Sequence, residues 1–190
     1  MIAHIATQPT LPAPDSRTIE TARLSLTALR ASDLDAFATI FGDGHTARMT
    51  HAIPHPLTHE TAERLLDSMA GSRTHWAIRL GDDSLVGVIS LTGTACGKAD
   101  SLHSFGPNLS VFVAPDHRGH GYAGEAINGL LGWVKRRRLH RVIHAAHFAD
   151  NAASGRVLVA ADFLYTGRRT HETSAARDGE HLALHMIRLL

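Results

Sequence analysis

Residues 111–126 read VFVAPDHRGHGYAGEA, and this stretch limits the fold more than any other. A strand-like apolar run passes through Pro115 into three glycines, Gly119, Gly121 and Gly124. In the segment that follows, Ala123, Ala126, Ile127, Leu130, Leu131 and Val134 recur at helical spacing. A strand that feeds a helix through such a turn leaves several N–H groups at the helix start without intrahelical partners, all pointing one way. Gly119 and Gly121 tolerate φ > 0 and let the backbone approach an anion closely, while Arg118 adds positive charge. By spacing alone the stretch is either a phosphate cradle or an ordinary glycine-rich turn. Two other phosphate loops fit poorly. No Gly-Lys-Ser/Thr end is present for a P-loop, and although Gly119 to Gly124 spells GxGxxG, the strand after its helix ends in Ala146-His147 rather than in an acid.

The helix, Tyr122 to about Leu139, lies between strands at 108–113 and 141–146, which makes a parallel strand–helix–strand unit the centre of the chain. Upstream, Arg23 to Arg30 alternates as a half-buried strand. Leu34, Phe37, Ile40 and Phe41 then mark a helix from Ser32 to about Phe41, and Thr58 caps a second one through Met69. Strands at 75–80 and 85–91 meet at Gly81-Asp-Asp-Ser84. The pattern lapses over Thr92 to Pro107, which reads as a long connection or an irregular hairpin. A short helix at 151–161 and strands at 163–169 and 182–189 complete a mixed α+β order.

The 190 residues suit one domain, and a formal charge of +1 does not favour wholesale nucleic-acid binding. Cys96 is the single cysteine, so no internal disulfide forms, and a reducing cytoplasm is expected. Neither an export signal nor a membrane span is indicated. Pro9, Pro12 and Pro14 make residues 1–18 read as a mobile arm ahead of a domain at 19–190. The series His51, His55, His59 could suggest a metal, but Pro54 and Pro56 break any helix that would align it, and no metal is expected. Lys135 to Arg138 at the helix end reads as a solvated, dipole-favoured face, with RNA or a ligand phosphate as alternatives.

Arg118-Gly-His-Gly121-Tyr-Ala123 closely resembles motif A of the GNAT superfamily of acetyl-CoA-dependent N-acetyltransferases. Asp150-Asn-Ala-Ala-Ser154-Gly-Arg-Val-Leu158 followed by Phe163 is similar to a helix of its ribosomal-protein N-acetyltransferase branch, the RimJ/RimL type, and Glu20-Thr-Ala-Arg-Leu-Ser-Leu26 is usual there. The resemblance covers about residues 18–190. It implies a mostly antiparallel twisted sheet of about seven strands with one splayed parallel pair, flanked by about four helices. Acetyl-CoA is the implied cosubstrate. Its pyrophosphate would lie on Arg118, Gly119, His120, Gly121, Tyr122, Ala123 and Gly124, and its pantetheine arm along Val111, Phe112 and Val113, with Asn151 and Ser154 near the sulfur.

Direct attack by a neutral amine needs a polarised thioester carbonyl and a proton for the departing thiolate. By analogy a backbone N–H near Phe112 or Val113 polarises the carbonyl, and Ser154 donates the proton, since Leu158 stands where many relatives carry a tyrosine. Read on their own, Asn151 and Ser154 are equally a helix cap and a small first-turn residue. Asn108 and Ala146 occupy positions where relatives carry carboxylates, so no general base is evident. His103, His144, His147, His171, Glu172 and water relayed from Asn108 are the candidates. Asp162 replaces a glycine before Phe163 and must adopt left-handed geometry. The expected acceptor is a primary amine, on a protein N-terminus or a small molecule, chosen by loops at 42–58, 92–107 and 171–179. A homodimer is open, as many relatives dimerise. The alternative reading is a non-catalytic acyl-CoA-binding or sensing module.

Overall fold

The computed structural model describes residues 17–94 and 106–190. Most of the N-terminal arm, Cys96 and His103 therefore lie outside the described residues. The strands are β1 (Ile19–Glu20), β2 (Ser25–Thr27), β3 (His75–Arg79), β4 (Leu85–Thr94), β5 (Pro107–Val113), β6 (Val142–Phe148), β7 (Leu164–Ser174) and β8 (Arg177–Leu189). The helices are α1 (Leu34–Gly42), α2 (Gly44–Arg48), α3 (His59–Ala70), α4 (Tyr122–Arg136) and α5 (Ala152–Ala160). One sheet of eight strands runs β1-β2-β3-β4-β5-β6-β8-β7, antiparallel throughout except at β5 and β6. The mixed α+β architecture with one parallel pair is as expected, with one more strand and one more helix.

Period-2 alternation divides the core between two helical layers. Trp76, Ile78, Ile89, Leu91, Leu109, Ile143 and Ala145 pack with α4 and α5. Their strand neighbours Ala77, Val88 and Phe112 pack with α1, α2 and α3.

Three elements differ from the sequence reading. The strand expected at 23–30 is only Ser25–Thr27, because the Arg30 N–H donates to the Asp33 carboxylate at 2.7 Å and turns the chain into a 3-10 turn at 31–33. The segment after Phe41, read as loop, contains α2, whose cap is the Asp43 carboxylate accepting the Thr46 N–H at 2.9 Å. The loop expected at 171–179 is instead hairpin, with Ala175 and Ala176 alone between β7 and β8. The left-handed residue expected after α5 is present: Asp162 has φ 58°, and Phe163 N–H returns to the Leu158 carbonyl at 3.0 Å.

Candidate active site

β5 and β6 pair in register only at Asn108 and His144, after which the strands separate. The outer edges of both stay paired, β5 with β4 through Val113 and β6 with β8 through Phe148. The divergence is therefore a gap inside an otherwise continuous sheet. Ala114 N–H donates to the Val86 carbonyl on the β4 side. By strand alternation Phe112 faces β4 as well, while the polar backbone groups of Val111 and Val113 face the gap. This selects Val113 over Phe112 as the N–H donor available there.

The gap continues into a cleft of about 670 Å³. Its wall includes Asn108, Ser110, Val111, Phe112 and Val113 from β5, and Ala146, His147 and Phe148 from β6. Asn151 and Ser154 from α5 and Arg118, Gly119, Gly121, Tyr122, Ala123 and Gly124 at the start of α4 also line it. Every site residue expected from the sequence except His120 thus borders one space; His120 lies beside it, its ring stacked 5.6 Å from that of Tyr122. α1, α2 and the segment that leads from α2 to α3 add Phe41, His45, Met49, His51 and Ile53.

Gly119 and Gly121 both have φ +80°, the left-handed region in which a side chain is strained. Gly121 is the N-cap of α4, and no side chain caps it, so the first N–H groups of the helix lack intrahelical acceptors. A Cβ on Gly119 or Gly124 would meet nothing within 4 Å. Bare donors, open space above them and the positive end of a helix dipole suit the pyrophosphate of a nucleotide-like ligand.

Arg118 does not reach into this cradle. Its guanidinium pairs with Asp43, donates to the Thr46 hydroxyl at 2.8 Å and to the Val113 carbonyl at 3.3 Å, and so ties the cradle loop to α2. Burial pushes the Asp43 carboxyl up, but the bonds from Arg118 and Thr46 outweigh it and hold the group below the usual carboxylate range. The Lys135–Arg138 run begins near the far end of α4, about 20 Å from Tyr122 at 1.5 Å per residue, which separates it from the cradle.

Asn151 does cap α5, its side-chain oxygen accepting the Ser154 N–H at 3.1 Å. That bond uses the serine backbone and leaves the hydroxyl uncommitted to the cap. His147 is held on both ring nitrogens. Nδ1 donates to the Phe148 carbonyl at 2.8 Å, so in the neutral ring Nε2 accepts from the Tyr165 hydroxyl at 3.0 Å. A Cβ on Gly155 would lie 3.0 Å from that hydroxyl and 3.1 Å from the ring, so the glycine makes room for the pair. Of the other base candidates, His144 is buried at the apex of the gap, whereas His171 and Glu172 lie on β7 and do not line the cleft. Among the described lining residues none is a carboxylate. Among the described residues no cluster fit to hold a metal occurs, and no helix is long and apolar enough to cross a membrane.

The fold is similar to three solved structures. One is a GNAT-family acetyltransferase from Bacillus anthracis, at 18% identity and a TM-score of 0.75, covering 90% of this chain and 98% of that one. A second is RimL, a ribosomal L7/L12 α-N-protein acetyltransferase in complex with coenzyme A, at 14% identity and 0.73, covering 92% and 98%. The third is spermidine N-acetyltransferase from Vibrio cholerae in complex with coenzyme A and spermine, at 16% and 0.68, covering 87% and 95%. No curated protein matches the sequence. A family model described as an acetyltransferase (GNAT) domain matches residues 23–164, which contain the splayed strands, the cradle and α5. The architecture and this match agree, and the chain belongs to the GNAT acetyltransferase family.

Proposed function

We propose that the protein transfers an acetyl group from acetyl-CoA to a primary amine, with both substrates bound at once in the cleft. The observation that carries this reading is the gap between β5 and β6 opening onto the uncapped start of α4, with open space at Gly119 and Gly124. The N–H groups at Tyr122 to Gly124 would hold the pyrophosphate, and the gap-facing backbone groups of Val111 would pair with a pantetheine amide. When bound, acetyl-CoA supplies an activated acyl group whose leaving thiolate needs one proton. In this reading Val113 N–H polarises the acyl carbonyl and Ser154 donates the proton.

The acceptor enters from the end lined by Phe41, His45, Met49, His51, Phe112 and Phe148. With His147 committed on both nitrogens, the amine's proton leaves through water at Asn108, at the apex of the gap. The acceptor is an amine of a protein N-terminus or of a small molecule. The test is thiol release from acetyl-CoA against a panel of N-terminal peptides and small amines. Amine-dependent release at steady state is the expected result. Acetyl-CoA binding without release for any amine would replace this reading with the non-catalytic binding module, to which the carboxylate-free described lining otherwise points.

A further inference from the structure

Beside the cradle stands a cation that neither the motif nor the glycine spacing indicates. Arg23 enters from the segment between β1 and β2, and its Nη2 lies 3.5 Å from where a Cβ on Gly121 would be. Its guanidinium carbon sits 4.9 Å from the Tyr122 ring centroid, on the first residue of α4. Two bonds to Glu125 fix this placement, Arg23 Nε donating to Oε2 at 2.8 Å and Arg23 N–H to Oε1 at 2.8 Å; the Thr21 hydroxyl also donates to Oε1, at 2.6 Å, without touching Arg23. Burial raises the Glu125 carboxyl, yet the Thr21 and Arg23 bonds outweigh it and lower its pKa, so the glutamate stays charged as an anchor.

The two arginines of the region divide the work. Arg118 spends Nε and Nη2 on Val113, Asp43 and Thr46. Arg23 spends only Nε on a side chain, and its other guanidinium edge is left beside the glycine, half exposed to solvent. We propose that Arg23 is a phosphate-binding residue of the cradle, presenting that edge to a phosphate of coenzyme A. A guanidinium edge matches two phosphate oxygens, and charge-assisted bonds of this kind are the strong ones. The inference rests on the coenzyme A reading above.

The test is calorimetric titration of wild type, Arg23→Gln, Arg23→Lys and Thr21→Val with coenzyme A, with 3′-dephospho-coenzyme A and with phosphate-free pantetheine. Arg23→Gln should weaken coenzyme A binding by about tenfold, the usual scale of one charge-assisted bond, and leave pantetheine unchanged. Arg23→Lys should recover part of the loss, because it keeps the charge without the Nε bond to Glu125. Thr21→Val removes no charge and leaves both Arg23–Glu125 bonds in place, so it should bind as wild type does. An equal loss on the dephospho ligand assigns the contact to the pyrophosphate, and a vanished loss assigns it to the 3′-phosphate; either supports the proposal. Unchanged coenzyme A affinity in Arg23→Gln, an equal loss on pantetheine, or an equal loss in Thr21→Val would overturn it. Wild type that does not bind coenzyme A would instead remove the underlying reading.

Discussion

Ser154 is proposed to act through its hydroxyl, while its backbone N–H serves the Asn151 cap at 3.1 Å. The two roles therefore separate by mutation. Ser154→Ala keeps the capping bond and should melt near the wild-type temperature while kcat falls by about 10²-fold, the range of one acid–base group. Asn151→Ala loses the cap and should cost about 1 kcal/mol of stability. Unchanged turnover in Ser154→Ala would leave the serine only a first-turn residue. The Asn151 cap was readable in the sequence, because an asparagine three residues before a serine is a local relation, whereas the role of the Ser154 hydroxyl is a proposal that rests on the family resemblance. His147, Tyr165 and Gly155 were not readable as a group. Their contact joins β6, β7 and α5, and nothing in the sequence spacing announces that a helical glycine at 155 faces a tyrosine hydroxyl. Arg23 escaped for the same reason, being 98 residues before the glycine it faces (121 minus 23).

Among the elements, β4 holds β5, one wall of the gap, along its paired edge. A Cβ on Gly87 would lie 2.4 Å from the Phe112 carbonyl oxygen, a contact that only separation of the two backbones can relieve. Gly87→Ala should cost about 2 kcal/mol, on the scale of overpacking, and should weaken acetyl-CoA binding by moving the strand that walls the cleft. Denaturant melts and titration together check this, and an unchanged midpoint would contradict the close pairing. Strands of this kind were legible where an apolar run meets a turn signal, as at 75–80 before Gly81 and 108–113 before Pro115, which form as His75–Arg79 and Pro107–Val113. α3 was legible from its Thr58 cap and apolar face. α2 was not, since five residues beginning with a glycine carry too little periodicity to mark a helix; its existence depends on Asp43, which also receives Arg118. The last hairpin extends past its apolar stretches because β7 and β8 pair along polar residues, from His171 with Leu182 to Thr173 with Glu180.

At the scale of the whole molecule, two carboxylates fasten the cradle, Asp43 through Arg118 to α2 and Glu125 through Arg23 to the β1–β2 segment. Both are held below the usual carboxylate range when folded. Their contribution to stability is therefore complete above the unfolded-state pKa of about 4 and is lost as pH falls through the lower folded values. Urea midpoints should show no change from this pair between pH 7 and pH 5, where its contribution is complete, and a decline below about pH 4, and Asp43→Asn should flatten part of that decline. An unaltered acid limb in the variant would contradict the fastening. The account as a whole depends on coenzyme A lying over the glycines at the start of α4. Gly121→Asp places a side chain in a residue with φ +80° and a negative charge where the pyrophosphate must sit. Calorimetric titration with acetyl-CoA should show affinity at least about tenfold weaker than wild type in a variant whose circular dichroism is unchanged; equal affinity in that folded variant would contradict the cradle and the function built on it.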